Sequence, residues 1–229
     1  MDDITLSDLQ IMSQAVNYRR WIYSKVERLL GATILEVGGG IGNFTEMYPR
    51  SSKVVTIEPH PECVQALRAK FDGSDRVEVV NADLLSYETT RRFDSVVCLN
   101  VLEHVDDDRA AMARMAEMLT PGGRLLLMVP ACKSLYGPVD RALQHYRRYG
   151  RGEVKRLILT HGLSLHRIEY MNLAGFFGWL INARLLKRAE QSPAQVAFYD
   201  RVVVPVMRRF ESVIPLPIGQ SLFVVAGLR

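Results

Sequence analysis

The chain is short of cysteine, of long apolar runs and of net charge, and each shortage removes a class of protein. Its 229 residues hold three cysteines, Cys63, Cys98 and Cys132. None lie at C-x-x-C spacing, and an odd count builds no disulfide framework. A reducing compartment follows, and Cys98, inside an apolar run, reads as a small buried hydrophobe. No apolar stretch reaches the ~18 residues that span a bilayer. The longest, 173–182, is followed by Arg184, Lys187 and Arg188. The stretch MDDITLSDLQ carries no apolar signal region, so cytoplasmic residence is expected. Lys and Arg total 29 against 25 Asp and Glu, a formal charge of +4. That is too diffuse for nucleic acid, which needs a clustered basic face. Internal repeats and low-complexity linkers are also missing.

What is present is an ordinary globular composition, 48% hydrophobic and 24% charged, sufficient for a packed core. Apolar residues at helical spacing (Leu9, Met12, Val16, Trp21, Val26, Leu29) predict one or two helices stopping at Gly31. Short β-type runs follow at 33–37, 54–57, 77–80, 95–99 and 124–129, alternating with helical patterns at 61–71 and 107–119. A glycine turn and a further helix are expected after the first run, and Pro121-Gly122-Gly123 reads as a turn into the fifth. Strands alternating with helices predict a parallel sheet covered on both faces. Residues 131–149 read as a polar, aromatic loop, 152–162 as a helix, 163–170 as a sixth strand, 173–190 and 194–212 as two helices, and 221–228 as a last strand. The prediction is one α/β domain over 1–229, with cap helices in 1–31, a core in 32–130, and an acceptor-side loop, helical insertion and last strand in 131–229.

The chemistry begins at Gly38, Gly40 and Gly42, directly after the first strand. Glycines there permit a tight turn and close approach of backbone to a ligand. A dinucleotide loop, G-x-G-x-x-G, would need glycine at 43, and the residue is Asn43. Glu36 lies two residues before the loop inside an apolar strand, where a carboxylate needs a partner. It either caps the loop's own N–H groups or helps hold the ammonium of an amino-acid ligand. Glu58, 22 positions past Glu36 at the end of the second strand, suits the two hydroxyls of a ribose, or else caps the turn at Pro59 and Pro61.

The block Ile34-Leu35-Glu36-Val37-Gly38-Gly39-Gly40-Ile41-Gly42 resembles the first motif of class I S-adenosylmethionine-dependent methyltransferases. Four more stretches keep the family's order: Val55-Thr56-Ile57-Glu58-Pro59, Val79-Val80-Asn81-Ala82-Asp83-Leu84, Phe93 to His104, and Leu119 to Leu125. Together they cover 33–130. The resemblance implies a seven-stranded, mostly parallel Rossmann-like sheet with helices on both faces, a helical segment at the N-terminus and a helical insertion before an antiparallel last strand. It implies that Glu36, Gly38, Gly40 and Gly42 surround the methionine portion of the cofactor. Glu58 and Pro59 would take the ribose, Asp83 and Leu84 the adenine edge, and Asn100 and Val101 the amino-acid end. Tyr18 and Trp21 could close over it. The loop departs from the family at Gly39, where Cys, Ala or Ser is frequent.

Methyl transfer from a sulfonium needs proximity and orientation, and a base when the acceptor is a hydroxyl or an acidic carbon. His104 and His145 are the candidate bases. His145 lies in the segment Asp140 to Arg151, which packs four arginines, two tyrosines, a histidine and an aspartate into twelve positions. Tyr136, Asp140, Tyr146, Arg147, Arg148 and Tyr149 are therefore candidate acceptor-binding residues, arginine forks favouring carboxylate or phosphate. The H-Y-R-R-Y stretch also resembles bacterial methyltransferases found beside glycosyltransferase or secondary-metabolite functions. A polar or anionic small-molecule acceptor is expected, with S-adenosylmethionine as cofactor and no metal. The 171–215 insertion suits a lid, a homodimer contact or a lipid-surface contact. Three other readings stand beside this one: a nicotinamide oxidoreductase, disfavoured by Asn43; chemistry on the same cofactor other than methyl transfer, such as cyclisation; and a non-catalytic binding module. A nucleic-acid methyltransferase is disfavoured by Asn100-Val101-Leu102-Glu103, which is not an N-P-P-Y tetrad.

Overall fold

In the computed structural model, residues 3–182 and 192–228 are described. Strand β1 (Thr33–Val37) sits mid-sheet because its apolar residues have partners on both faces and both edges. It pairs in parallel with β2 (Lys53–Glu58) on one side and β4 (Phe93–Leu99) on the other. With β3 (Val77–Asn81), β5 (Leu119–Pro130), β6 (Leu163–Met171) and β7 (Ser221–Leu228), the order is β3-β2-β1-β4-β5-β7-β6. β7 runs antiparallel to both β5 and β6.

The two-residue period of each strand divides its side chains between two cores. Leu35, Val55, Val96, Leu125 and Val224 face one layer, where they meet Met112 and Met115 of α4 (Asp108–Glu117) and Val154 and Ile158 of α6 (Arg151–Thr160). Ile34, Val54, Val97, Leu126 and Phe223 face the other. There they meet Trp21, Ile22 and Val26 of α2 (Val16–Val26) and Val204 of α9 (Val204–Glu211). Burying each large side chain contributes about 1.5–3 kcal/mol. Helix α3 (Pro61–Lys70) opens on Pro61, whose missing N–H lies where a helix lacks a partner anyway.

The structure departs from the sequence expectation at four places. No α-helix follows the glycine loop; Thr45–Met47 makes one 3₁₀ turn. Glu36 draws the hydroxyls of Thr45 and Tyr48 to itself at 2.5 and 2.8 Å. Pro49 then forces Tyr48 into extended backbone, ψ 150. Pro121-Gly122-Gly123 is an irregularity inside β5 and not a turn before it: pairing jumps from Phe93↔Leu119 to Ser95↔Arg124, with Gly122 at φ 79. The 131–149 stretch contains α5 (Pro138–Ala142).

The fourth departure concerns the insertion. Helix α7 (Leu173–Ile181) is described, while Arg184, Lys187 and Arg188 lie outside the described residues. α8 (Pro193–Phe198), a π-helical turn at Tyr199–Val203 and α9 then follow without a break. The π turn carries Asp200 inward, where it is 4% exposed. Its carboxylate accepts the backbone N–H groups of Asn17 and Tyr18 at 3.2 and 2.7 Å. α2 has no side-chain cap of its own, so the insertion supplies the anion its first turn requires. Among the described residues no helix is long and apolar enough to cross a membrane.

Candidate active site

The strand order reverses direction between β1 and β4, and in open α/β sheets the crevice beyond that point receives ligands. The glycine loop lines it with Gly38, Gly39 and Gly40. Gly38, at φ 73, donates to the carbonyl of Ile57 at 2.9 Å, and Gly40, at φ 54, donates to Glu58 Oε2 at 2.8 Å. A Cβ on Gly38 would stand 2.4 Å from Val101 Cγ2, so the approach of loop to strand-four end is closed to any other residue. Across the crevice Asn100 holds φ 54 at the end of β4, a conformation few non-glycine residues adopt.

Glu36 is 4% exposed and lines the cavity floor. Burial pushes its carboxyl up to about 7, opposed by the hydroxyls of Thr45 and Tyr48. It does not cap the loop N–H groups: those of Gly38 and Gly39 go to the Ile57 carbonyl, that of Gly40 to Glu58 and that of Gly42 to the Gly39 carbonyl. Glu58 is equally buried and also accepts the N–H of His60 at 3.1 Å. Two backbone donors leave its carboxylate further lone pairs. Register Glu58↔Asn81 brings the ends of β2 and β3 together, and Asn81 Nδ2 pins the carbonyls of Glu58 and Pro59 at 2.9 and 3.0 Å. Asp83 and Leu84 follow on the same edge. Asp83 accepts from Leu85 N, Ser86 N and Ser86 Oγ, so it closes its own turn, and these bonds hold its carboxyl below the usual range. Leu84 is buried at 5% exposure.

A cavity of about 600 Å³ opens beside the loop. Tyr18, Glu36, Gly38, Gly40, Asn100, Val101, His104, His145 and Arg148 of the sequence-predicted residues line it. Glu58, Pro59, Asp83 and Leu84 are not in its lining, and neither is Trp21, which is 2% exposed within the α2 core layer, in edge contact with the Tyr18 ring. Gly42 packs toward Phe71 and Leu67 instead. The roof comes from α1 (Asp3–Gln14), which the sequence reading had not assigned to the site. Leu9 lies over Gly40, its carbonyl held by Asn43 Nδ2 at 3.1 Å, and Met12 stands beside it on the wall.

The acceptor-side segment turns much of its chemistry inward. Asp140, fully buried, accepts from Arg148 Nε at 2.7 Å and His145 Nδ1 at 3.0 Å on one oxygen. Its other oxygen accepts from Gly137 N at 2.9 Å and Trp179 Nε1 at 3.4 Å. Burial opposes ionisation of Asp140, yet His145 and Arg148 together hold its carboxyl below the usual range. Arg148, 2% exposed, also reaches the Ala131 carbonyl and stacks on Trp179. Tyr149 is fully buried, with its hydroxyl on the Leu102 carbonyl. Asp140 and Tyr149 therefore build the wall and are not part of its surface. Arg147 leaves the cavity altogether, pairing with Asp106 and Asp108 at 3.4 and 3.2 Å. Tyr146 is exposed, and Tyr136 gives its hydroxyl to the His145 carbonyl.

His145 and His104 meet edge to face with ring centroids 4.7 Å apart. Partial burial, and then the neighbouring His145, lower His104 to about 4 although one side of it is open to solvent. Beside them Glu103 is 1% exposed and lines the cavity. Burial raises its carboxyl to about 7. The sequence reading passed over Glu103, and its one signal was a carboxylate between Leu102 and His104 in a strand-end motif. Asn172 and Trp179, from the insertion, also reach the wall and were unforeseen.

A family model described as a methyltransferase domain matches residues 15–192. A ubiquinone biosynthesis O-methyltransferase of Xanthomonas oryzae pv. oryzae is 29% identical over 180 residues, covering 71% of this chain and 74% of the relative. Among solved structures, the N-methyltransferase NodS of Bradyrhizobium japonicum bound to S-adenosyl-L-homocysteine superposes with a TM-score of 0.57. Identity to it is 16%, with 98% of this chain and 88% of that one covered. The glycopeptide N-methyltransferase MtfA bound to S-adenosyl-L-methionine gives 0.59 at 14% identity, covering 92% and 87%.

Proposed function

The chain belongs to the methyltransferase-domain family and takes S-adenosylmethionine as its cofactor, and from that premise we propose that it methylates a hydroxyl on a small, largely apolar acceptor. The cofactor fits the residues present. Gly38 and Gly40 offer backbone with no Cβ along the cavity and Asn100 and Val101 face them, while Glu58, outside the cavity lining, holds the Gly40 N–H from behind with lone pairs to spare.

The observation that carries the reading is a polar cluster at the head of an apolar cavity. Leu9, Met12, Val139, Leu143 and Trp179 make the walls. Glu103, His104 and His145 converge at one place on them. The anionic acceptor expected from the arginines loses its support, because Asp140 neutralises Arg148 and Arg147 pairs outside the cavity. The relative in Xanthomonas is an O-methyltransferase by name, which supports oxygen as the methylated atom.

The cofactor supplies an already activated methyl group on a sulfonium, transferred by in-line displacement. The chain then has two tasks. The glycine loop, Asn100 and Glu58 would hold the cofactor, while the walls would position one acceptor oxygen and exclude water. The second task is the hydroxyl proton. Asp140 accepts the Nδ1 hydrogen bond of His145, which orients the ring and leaves Nε2 to meet the acceptor. His104, poorly able to hold a proton, adds a second lone pair beside it.

The test is release of S-adenosylhomocysteine from the purified chain with a panel of apolar phenols and matched amines. Turnover of phenols and none of amines supports the reading. Turnover confined to amines or carboxylates overturns it.

A further inference from the structure

We propose that Glu103, His104 and His145 form a binding site for a single divalent transition-metal cation at the head of the cavity. Each offers one ligand atom, and the three atoms all lie within 4.8 Å of one another, a spread that small rotations of two imidazoles close onto one ion. The donor set, two imidazoles and a carboxylate, matches that of open catalytic sites for zinc and of the face-capping iron sites, and it suits Zn²⁺, Mn²⁺ or Fe²⁺ rather than Mg²⁺ or Ca²⁺.

Two independent features point to a ligand and away from simple packing. Glu103 is 1% exposed, and its Oε2 has no hydrogen-bond partner among the described residues. A buried carboxylate oxygen left in that state is destabilising unless something positive comes to it. Arg148 is the nearby cation, and its Nε and one terminal nitrogen are turned to Asp140 and Ala131.

The second feature lies behind the ring of His145. Its Nδ1 is hydrogen bonded to the carboxylate of Asp140, itself held by Arg148, the Gly137 N–H and Trp179. That is the arrangement by which proteins fix a metal-ligating imidazole: carboxylate on one nitrogen, ion on the other. Nε2 is then the atom free to bind. His104 comes in from the solvent side at right angles to that ring, interplanar angle 88°, so the two lone pairs can converge from different directions. With the ion bound, His145 Nε2 ligates it and no longer meets the acceptor hydroxyl; three protein ligands leave positions open for that oxygen, whose pKa the ion would lower in place of the imidazole. That last role rests on the proposed hydroxyl acceptor; the binding of the ion does not. The sequence reading expected no metal; His145 lies in a different segment from the adjacent Glu103 and His104, and Glu103 gives no sign in sequence of being unpaired.

The purified full-length chain, stripped with chelator, would be titrated with Zn²⁺ by calorimetry and with Mn²⁺ by electron paramagnetic resonance. One ion per chain is expected, bound at least about tenfold more weakly by Glu103→Gln and by His104→Ala. His104 is on the solvent side, so its replacement keeps the test open should the Glu103 variant fail to fold. S-adenosylhomocysteine affinity, measured alongside, shows the fold intact in each variant. No uptake at millimolar metal, or uptake undiminished in both variants, overturns the site. A chain that binds no ion yet methylates phenols refutes the metal and keeps the hydroxyl acceptor. One that binds the ion and methylates amines alone does the reverse.

Discussion

Replacing Asp140 by Asn should lower the stability of the fold by about 3 kcal/mol, near the lower end of the range for stripping one member from a buried ion pair. The side chain is fully buried and its volume barely changes, so no cavity term enters. What changes is charge. Arg148 Nε, 2.7 Å away and 2% exposed, loses its counter-ion and keeps the Ala131 carbonyl at 3.2 Å as partner. The amide can accept from one side while its own NH₂ faces a donor, either Gly137 N or the His145 and Arg148 pair. For a chain of this length about 3 kcal/mol corresponds to a fall in Tm of roughly 6–12 °C. Calorimetry or urea unfolding at pH 7 reads it directly. Asp140→Leu with Arg148→Met removes both charges and should be less destabilising than Asp140→Asn alone, a coupling of about 2 kcal/mol or more. A loss under about 1 kcal/mol from Asp140→Asn, or additive effects of the two substitutions, would show that the pair is solvated and that Asp140 does not organise the wall.

Three further outcomes follow from other residues. Glu36 and Glu103 both have folded pKa values of about 7 against 4.5; the folded state therefore holds protons that the unfolded chain has lost. Stability conferred below pH 4.5 should fade as pH rises through 7, by an amount on the order of 3 kcal/mol per group. Glu36→Gln should flatten that slope in pH-dependent unfolding, and an unchanged slope would place the ionisation elsewhere. Gly38→Ala puts a Cβ at φ 73 and 2.4 Å from Val101, so binding of S-adenosylhomocysteine should fall at least about tenfold with a loss of stability beyond 1 kcal/mol; wild-type affinity would mean that the loop does not contact the cofactor. Asp200→Ala should remove about 1 kcal/mol as the cap of α2 disappears, and raise hydrogen exchange at Asn17 and Tyr18; unchanged protection there would refute the cross-chain cap.

How far the sequence reached differs between the sheet and the site. Strand positions were legible because strands buried on both faces, with Leu35 entering one core and Ile34 the other, read as short continuous apolar runs, which is a local property. The shared placement of the glycine loop, Glu58 and Asn100 was legible because they end or follow β1, β2 and β4, and the C-terminal ends of parallel strands lie together. The direction of side chains outside that pattern was not. The helix expected after the loop yielded to two hydroxyls bound by Glu36 and to Pro49, a competition no local propensity records.

The arginine and tyrosine segment makes the same point with opposite sign. By sequence Asp140, Arg147, Arg148 and Tyr149 are equally fit to face an acceptor, and their spacing does not rank them. Whether a charge stands in the cavity or behind its wall depends on which partner reaches it, and those partners come from elsewhere: Trp179 from the insertion, Asp106 and Asp108 from the start of α4, Leu102 from the turn before it. Amino-acid order by itself determined the sheet and the class of reaction, because each rests on short apolar runs and motifs. The burial of Glu103, the inward turn of Arg148 and the roof laid by Leu9 were decided by the tertiary structure, because desolvation and pairing belong to residues that meet only after the chain has folded.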